Sequence, residues 1–409
     1  MLLLSELLKR IVKIGSLTVI DHQGRSHAFR GGPGPAVTIR LHDAATARKI
    51  AINPRLHFGE AYMDGRLTIE DSDIYGFLEF CALNENMLQP GTWLDLIYRA
   101  QLLIRRFQQY NPISTARKNV SHHYDLSGRL YELFLDSDRQ YSCAYFRTDG
   151  DTLETAQDNK KRHLASKLLL KPGCKVLDIG SGWGGLGIYL AKAGAGEVTG
   201  ITLSSEQHKV SNERAAAAGV ASHVRFQLRD YREQTGTFDR IVSVGMFEHV
   251  GVNHYHSFFR KIRSLLADDG VAVLHSIGRA DGPGVTNPWL RKYIFPGGYS
   301  PALSEVLPAV EKAGLFVTDI EILRLHYAKT LSEWRRRFER SREQIKALYD
   351  ERFCRMWEFY LAGSELAFRY HGHIVFQMQL AKRVDAVPLT RDYMVDWERK
   401  NTPRGNLAA

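Results

Sequence analysis

The amino-acid sequence predicts an α/β protein with a mainly parallel sheet in its larger, C-terminal part. Seven short apolar runs follow residue 170 and alternate with helical stretches: KVLDIG, EVTGIT, VRFQLRD, RIVSVGM, GVAVLHSIG, FVTDIEIL and HIVFQMQLAKR. Strands that alternate with helices are typical of layered folds built on a parallel sheet. A long helical segment over about 330–369 separates the last two runs. We therefore expect seven strands and a helical insertion before the last strand, which can cover the mouth of the sheet.

The N-terminal part predicts a smaller α+β domain. Residues 15–70 contain the strand-like segments SLTVID and AVTIRL, separated by turn residues, and HFGEAYMDGRLTIED closes the region. Residues 75–110 show helical periodicity. We predict a lipid- or membrane-associated domain over 1–112 and a catalytic domain over 113–400.

Two helices of the N-terminal part are candidates for contact with a membrane. The segment 92–109 carries three arginines among apolar residues at helical spacing, so it is either a core helix or a basic amphipathic helix on a lipid surface. The first segment, MLLLSELLKRIVKIG, is too short to span a bilayer and is interrupted by charged residues. We expect an amphipathic surface helix there, not a signal peptide.

Composition narrows the class of partner. Of 409 residues, 44% are hydrophobic and 24% charged, which is typical of a globular protein. The net charge of +10 favours a polyanionic partner, either nucleic acid or an anionic membrane surface, unless it serves solubility alone. The four cysteines are far apart and lack metal-ligand spacing, which indicates a reduced, cytoplasmic protein without a metal site.

The segment VLDIGSGWGGLG, residues 176–187, predicts a ligand site between a strand and a helix. Gly180, Gly182 and Gly184 allow a tight turn whose backbone approaches a ligand, and the helix N-terminus offers N–H donors. Asp178 ends the strand, where nucleoside methyltransferases hold the amino-acid part of S-adenosylmethionine. The alternative is a tight turn without a ligand.

The ends of the next strands favour the same cofactor over a dinucleotide. A dinucleotide fold carries an acidic residue after its second strand, but this chain has GITLSSEQ, with Thr202 and Gln207. Asp230 ends the third strand and either accepts a hydrogen bond from adenine or caps a helix. The fourth strand ends in MFEHVG instead of the Asn-Pro-Pro-Tyr-like segment of amino-group methyltransferases, which argues against methylation of nucleic acid bases. There Glu248 places a carboxylate at the rim of a buried strand, where it needs a partner or a role.

These segments together carry a family resemblance. The stretches HHYDLSGRLYELFLDSDRQYSCAYF, VLDIGSGWGG, GITLSSEQ, FDRIVSVGMFEHVG, HSIG and WLRKYIFPGGYSP resemble the cyclopropane-fatty-acyl-phospholipid synthases and are similar to the mycolic acid cyclopropane synthases over about 110–385. EAYMDGRLTIED resembles the extra N-terminal domain of the bacterial lipid enzymes. The resemblance implies a Rossmann-like class I methyltransferase fold with a seven-stranded, mostly parallel sheet. Two positions depart from the family pattern: Ser181 stands where cysteine is frequent, and Gly128–Arg129 stands where Gly-Asn is common.

The resemblance also implies the reaction and its residues. It implies transfer of a methylene group from S-adenosylmethionine to a cis double bond of a phospholipid acyl chain, through a carbocation deprotonated by bound bicarbonate. By motif, the base site comprises Cys143, Glu248, His275, Ile277 (backbone) and Tyr327. The cofactor residues are Tyr141, Ser142, Asp178, Gly180, Gly182, Gly184, Thr202, Leu203, Gln207, Asp230 and Tyr231. The acyl channel residues are Tyr145, Phe247, Tyr299, Trp357 and Tyr360. Cys143, His275 and Tyr327 could instead be core residues, and core packing alone would explain part of the aromatic set.

The partner expected from these assignments is a phospholipid bilayer with an anionic surface, reached from the cytoplasmic side, with no nucleic acid bound. The oligomeric state stays open, with a homodimer as one possibility. Three other functions compete: a methyltransferase that makes methyl-branched unsaturated chains, a non-catalytic lipid-binding protein, and a nucleic acid methyltransferase that only the net charge favours.

Overall fold

The computed structural model describes residues 1–85 and 128–402, which form two compact units. The first unit takes residues 1–85, 285–296 and 331–372, and the second takes the remaining described residues. The predicted helix 92–109, the HHYDL motif and the predicted domain boundary after residue 112 lie outside the described residues.

A small mixed sheet forms the centre of the first unit. Its strands are β1 (Ile14–Ile20), β2 (Ser26–Arg30), β3 (Gly32–Leu41) and β4 (Leu67–Ile69), in the order β2-β1-β3-β4. β1 and β3 run parallel, whereas β2 and β4 pair antiparallel with their neighbours. Every second residue of β1 is buried, because one face of the sheet is covered. The covering helices are Leu2–Ile11, Ala44–Ile52, Pro54–Met63 and Ile74–Glu85.

The helical insertion belongs to this first unit. It contains most of helix His326–Arg340 together with Arg342–Leu348 and Glu351–Tyr370, and a short helix, Pro288–Tyr293, joins it. The Tyr62 hydroxyl donates to Glu358 at 2.7 Å, and the Arg335 guanidinium lies 4.3 Å from the centre of the Tyr75 ring. Polar and cation–π contacts therefore bind the insertion to the N-terminal helices, although almost 250 residues separate them in sequence.

The second unit contains the predicted seven-stranded sheet. Its order is β10-β11-β9-β8-β5-β6-β7. β5 to β9 pair parallel along this order, and β11 is antiparallel to both β9 and β10. The chain order reverses at β5, which lies between β8 and β6, so ligands are expected at the carboxyl ends of these strands. The strands are β5 (Lys175–Ile179), β6 (Glu197–Thr202), β7 (Val224–Leu228), β8 (Phe238–Val244), β9 (Leu266–Arg279), β10 (Phe316–Ile322) and β11 (His373–Ala381).

Helices cover both faces of this sheet. Successive residues of a strand point to opposite faces, so Val176 and Leu177 enter two different apolar clusters. Burial on both faces explains why these strands are near-continuous apolar runs in the sequence. The described helices of this unit, apart from the start of the insertion, are Gly128–Phe134, Leu153–Lys167, Gly185–Lys192, Ser205–Ala217, Tyr255–Leu265, Leu303–Lys312 and Asp392–Lys400.

The predicted fold is thus confirmed, including the insertion between β10 and β11. All four cysteines lie in the described residues, and none of them forms a disulfide. Across residues 1–85 and 128–402, we find no helix with the length and apolar character needed to span a bilayer.

Candidate active site

A cleft opens at the carboxyl ends of β5, β6, β7 and β8 in the second unit. It contains about 1180 Å³ of space, part of which is open to solvent. Its walls come from the residues that follow each strand, so the order of the sheet gathers segments distant in sequence at one edge. The sequence-predicted cofactor residues in these walls are Tyr141, Ser142, Asp178, Gly180, Gly182, Thr202, Leu203, Gln207, Asp230 and Tyr231.

The glycines of the first loop have two different roles. Gly182 has a φ of +53°, and a Cβ at this position would meet no atom within 4 Å, so its backbone faces the open cleft. Gly184 has a φ of +85°, and its Cβ would lie 2.8 Å from Phe226 Cζ and from Ser211 Cβ. Gly184 is the N-cap of helix Gly185–Lys192 and is absent from the cleft walls. Its role is close packing of the helix on the sheet.

Asp178 is the buried acid of the cleft. Its side chain is 1% exposed, and Oδ2 has no hydrogen-bond partner among the described residues. Burial raises the pKa of this carboxyl to about 7, against the opposing effect of the Lys160 ammonium. A buried carboxylate oxygen without a donor is unfavourable, and the ammonium group of an amino acid would satisfy it. The residues present therefore fit the amino-acid part of S-adenosylmethionine.

The end of β6 orients an amide toward the same cleft. The Thr202 hydroxyl donates to Gln207 Oε1 at 2.9 Å, and Ser204 caps helix Ser205–Ala217 by accepting from the Gln207 backbone N–H. Because the amide oxygen of Gln207 is engaged, its NH₂ group is the part that can donate to a ligand hydroxyl.

Asp230 is held by its neighbour Arg232. Its carboxylate accepts from the Arg232 backbone N–H at 2.9 Å and from two guanidinium nitrogens at 2.8 and 2.7 Å. Asp230 therefore caps the short helix Tyr231–Glu233, as one of the two predicted roles required. The Arg232 side chain lies in the cleft wall. The Tyr231 ring lies 5.2 Å from that of Phe258, and burial raises the pKa of Tyr231 to about 12.

Glu248 lies in the turn after β8, next to the cleft residues Met246 and His249. Its Oε1 accepts from the Ile277 backbone N–H at 2.6 Å, and Oε2 is buried without a hydrogen-bond partner among the described residues. Burial raises the pKa of Glu248 to about 7 despite the backbone hydrogen bonds that lower it. The Ile277 N–H, predicted to hold bicarbonate, therefore donates to Glu248 in this structure.

His275 and Ile277 lie two residues apart on β9, so their side chains share one face of the sheet. The Gln377 amide nitrogen lies 3.1 Å from His275 Nδ1, which therefore accepts, and this hydrogen bond assigns the ring proton to Nε2. Burial, followed by the nearby Lys160 and Lys167 charges, lowers the pKa of His275 well below its usual value. The imidazole is consequently neutral.

Cys143 and Tyr327 come from two adjoining segments of the second unit. The Ala144 N–H donates to Thr330 Oγ1 at 3.0 Å, which places residue 143 beside the first turn of helix His326–Arg340. The Cys143 thiol is buried, contacts the Ala144 carbonyl and has a raised pKa because of that burial. The role predicted for Cys143 is that of a backbone donor, which does not require its thiol, so this burial leaves the prediction untested.

The aromatic residues predicted for the acyl channel lie in several environments. The Phe247 ring is fully buried in the core beside Tyr255, at a ring-centre distance of 4.5 Å. The Tyr145 ring is stacked between His163, at 4.2 Å, and His326, at 4.8 Å, so both of its faces are covered.

The other aromatic channel residues make polar or ring contacts of their own. The Tyr299 hydroxyl donates to Glu305 at 2.6 Å, and the Tyr299 backbone N–H donates to the Glu248 carbonyl at 2.9 Å. Trp357 and Tyr360 form an edge-on pair at 5.2 Å within the first unit.

The cleft also contains residues that the sequence analysis did not assign. They are Arg139, Gln140, Ser181, Trp183, Met246, His249 and Arg232, among others. Trp183 stands inside the glycine motif, and Met246 and His249 flank Glu248, so adjacency to the quoted motifs was the available signal. Burial lowers the pKa of His249 to about 4, so this imidazole is neutral at physiological pH.

Comparisons with known proteins agree with this geometry. A family model described as mycolic acid cyclopropane synthetase matches residues 112–378, and a model described as a domain of unknown function matches residues 3–88. The chain is 38% identical over 379 residues to a probable fatty acid methyltransferase of Pseudomonas putida, covering 90% of this chain and 93% of the relative. It is 36% identical over 354 residues to the cyclopropane-fatty-acyl-phospholipid synthase of Escherichia coli (strain K12), covering 87% and 90%.

A solved structure shows the same relation. A mycolic acid cyclopropane synthase complexed with SAH and CTAB superposes with a TM-score of 0.62 at 33% identity, covering 66% of this chain and 99% of that one. The family resemblance read from the motifs is confirmed by these matches. The chain belongs to the mycolic acid cyclopropane synthetase family and is an S-adenosylmethionine-dependent methyltransferase.

Proposed function

We propose that this enzyme adds a methylene group to the cis double bond of unsaturated acyl chains in membrane phospholipids, forming a cyclopropane ring. The observation that carries the proposal is Glu248, a buried carboxyl in the turn beside the cofactor cleft, one of whose oxygens has no hydrogen-bond partner within residues 1–85 and 128–402. An acceptor lipid must approach the cleft at its edge, and the turn after β8 lies at that edge.

The reaction divides into two steps. S-adenosylmethionine supplies an electrophilic methyl group when it is bound. One carbon of the double bond forms a bond to that methyl carbon as its bond to sulfur breaks, and positive charge develops on the other alkene carbon. Loss of a proton from the new methyl group, with closure of the second carbon–carbon bond, gives the ring.

The residues of the cleft are proposed to hold the cofactor at its two ends. Asp178 accepts from the ammonium of the amino-acid part through Oδ2, which no group in the described part of the chain engages. Gln207 donates to a ribose hydroxyl, and the Gly182 backbone allows close approach. Asp230, already held by Arg232, offers its remaining acceptor capacity to the adenine amino group.

The base site is proposed to comprise Cys143, Glu248, His275, Ile277 and Tyr327. Bicarbonate supplies a proton acceptor when it is bound. Because its pKa is raised to about 7, Glu248 keeps its proton in a substantial fraction of molecules near neutral pH and can donate a hydrogen bond from Oε2 to an anion. The neutral His275 can donate from Nε2.

The enzyme is proposed to work on the inner face of a cytoplasmic membrane as a peripheral protein. The net charge of +10 supports attraction to anionic lipid, and helix Leu2–Ile11 carries Leu2 at 88% exposure and Leu3 at 56%. Binding to vesicles should rise with anionic lipid content and fall with salt. Equal binding to neutral and anionic vesicles at low salt would reject the electrostatic part.

A second candidate reaction uses the same site but ends differently. The Pseudomonas putida relative is named a probable fatty acid methyltransferase, which supports a product that is a methyl-branched unsaturated chain. In that reaction the cation loses a proton from a chain carbon, so no ring closes.

Mass spectrometry of phospholipid acyl chains from cells that express the protein tests both candidates. Either product is heavier than the starting chain by one CH₂. Mild hydrogenation distinguishes them, because it adds two hydrogens to a methyl-branched alkene and leaves a cyclopropane ring unchanged. Acyl chains that stay unchanged although the purified protein binds S-adenosylmethionine would refute both. An Asp178→Asn variant serves as the control that lacks the proposed cofactor anchor.

A further inference from the structure

A fully buried lysine stands behind the loop that leads to Cys143. Lys160 is 0% exposed, and its Nζ donates to Gln140 Oε1 at 2.7 Å and to Ser142 Oγ at 2.8 Å. Both acceptors are neutral. An ammonium in such a position is unfavourable unless nearby negative charge compensates it.

The same helix face holds the loop through its backbone. Gln157 precedes Lys160 by one turn, so the two side chains point the same way. Gln157 Nε2 lies 3.0 Å from the Ser142 carbonyl and 3.3 Å from the Gln140 carbonyl. The helix Leu153–Lys167 therefore hydrogen-bonds to both the carbonyls and the side chains of Gln140 and Ser142. Tyr141 and Ser142 face the cleft, and Cys143 follows directly.

The two carboxylates that act most on Lys160, Asp136 and Asp138, make hydrogen bonds and ion pairs to other groups. Asp136 accepts from two backbone N–H groups of the loop. Asp138 forms ion pairs with Lys161 and Arg214. These carboxylates act on Lys160 through space, and burial still lowers its pKa to about 8. Across the loop, the Lys160 charge also acts to lower the pKa of the buried Asp178 carboxyl, so it acts on the cofactor cleft as well as on the segment that leads to Cys143.

The loop leads to the proposed base site, and none of its five predicted residues has a cationic side chain, although Lys167 is a second nearby cation that acts on His275. Cys143 and Tyr327 carry neutral side chains, and His275 is neutral because its pKa is lowered. Burial raises the pKa of the Cys143 thiol and lowers that of His275, and the Lys160 charge acts downward on both, in agreement with the hydrogen bond that places Lys160 beside Ser142. A buried anion requires a compensating positive charge.

We propose that Lys160 is a positioning residue that supplies the positive charge for an anionic base at Cys143 and, together with Gln157, holds the loop that presents Cys143. This inference rests on the proposed bicarbonate site and adds the residue that makes an anion stable there.

The melting temperature of the whole protein, measured without S-adenosylmethionine or lipid, reports the binding of the anion separately from catalysis. Sodium bicarbonate is titrated against sodium chloride at matched ionic strength, because a ligand that binds the folded state raises the melting temperature. We expect Lys160→Met to weaken the bicarbonate-specific stabilisation by roughly 10- to 100-fold in half-saturating concentration, the size expected for a lost charge-assisted interaction. Lys160→Arg should restore most of it.

Gln157→Leu is the matched control, because it removes the hydrogen bonds to the Gln140 and Ser142 carbonyls but keeps the Lys160 charge. We expect it to weaken S-adenosylmethionine binding and turnover, and to shift the half-saturating bicarbonate concentration by much less than Lys160→Met does, because the charge is kept. Methionine is apolar and close to lysine in length, so Lys160→Met also removes the free-energy cost of burying an ammonium group. If Lys160→Met nevertheless aggregates, Lys160→Gln provides the same comparison.

The outcomes separate the two proposals. A wild-type response to bicarbonate that Lys160→Met retains unchanged would overturn the role of Lys160 alone. A wild-type protein that shows no bicarbonate-specific stabilisation overturns the anion site, and the role of Lys160 falls with it, whereas lipid analysis still tests ring formation independently.

Discussion

Replacing Glu248 by glutamine should lower turnover and, at alkaline pH, stabilise the cofactor-free protein. Glutamine keeps an oxygen that can accept from the Ile277 N–H, so the turn after β8 retains its contact. It removes the ionisation of a carboxyl that burial opposes. These two effects have opposite signs for function and stability, which makes the substitution informative.

The magnitude follows from the pKa of Glu248. A rise from 4.5 to about 7 corresponds to roughly 3 kcal/mol in the free energy of unfolding. Between these two values the folded protein keeps the proton and the unfolded chain releases it. Wild-type stability therefore falls as pH rises through this window, and the full loss is reached above the folded pKa of about 7. Glutamine cannot ionise, so Glu248→Gln lacks this loss.

The assay is urea unfolding of cofactor-free wild type and Glu248→Gln from about pH 5 to about pH 8.5. The difference in unfolding free energy should shift toward the variant by about 2–3 kcal/mol across the range. Turnover should fall about 10²- to 10⁴-fold, as for loss of a group that orients a base, and added bicarbonate should restore part of it. Glu311→Gln, at an exposed position on helix Leu303–Lys312, is the control.

Two results would refute this reasoning. A stability difference that is constant with pH would show that Glu248 does not ionise with a raised pKa. Near-normal turnover in Glu248→Gln would remove it from the proton transfer. If wild-type turnover is indifferent to thorough bicarbonate removal, a protein carboxylate or His275 becomes the base to test.

Three further substitutions test separate parts of the structure. Gly182→Val should abolish S-adenosylmethionine binding, measured by calorimetry, because the valine side chain would enter the cleft. The control is Gly219→Val, at another open position of positive φ, which should bind normally. Equal binding by both variants would reject the placement of Gly182 at the cofactor. Phe247→Ala should lower the free energy of unfolding in urea by about 3–5 kcal/mol, because the ring fills the core. A loss below about 1 kcal/mol together with an altered acyl-chain preference would instead support the predicted channel role of Phe247. Burial opposes the charge on His163, but its hydrogen bonds to Glu321 and Glu398 outweigh burial and raise its pKa. The stabilisation from these two contacts is therefore fully present below about pH 6.5, and it is lost as pH rises through the folded pKa of His163. His163→Gln should remove that pH dependence of the melting temperature, and a wild-type–variant difference that is the same at every pH would contradict it.

The sequence predicted most of the cleft because its walls are local features of strand ends. Asp178 and Gly182 belong to one short motif, and Thr202 and Gln207 to another. A parallel sheet brings the ends of its strands to one edge, so knowledge of each motif and of the strand order suffices to gather them. Gly184 shows where this reasoning stops, because the motif does not reveal which glycine faces a ligand and which faces Phe226.

Side-chain direction and long-range contact were decided only by the tertiary structure. Phe247 and Glu248 are adjacent in sequence, yet the ring enters the core while Glu248 reaches Ile277. The family resemblance implied a channel wall for Tyr145, but His163 and His326 cover both faces of its ring. Adjacent residues in a short turn point in different directions, and no sequence periodicity encodes which one faces the site.

The sequence by itself determined the class of fold, the family and the cofactor, since strand–helix alternation and the glycine motif depend on local spacing. The tertiary structure alone decided that the insertion packs with the N-terminal helices, that Glu248 engages the Ile277 N–H, and that Lys160 is buried against Ser142. Each of these depends on contacts between residues 18 to almost 300 positions apart. Free energy in such contacts comes from burial and charge in the folded state, which local sequence patterns do not contain.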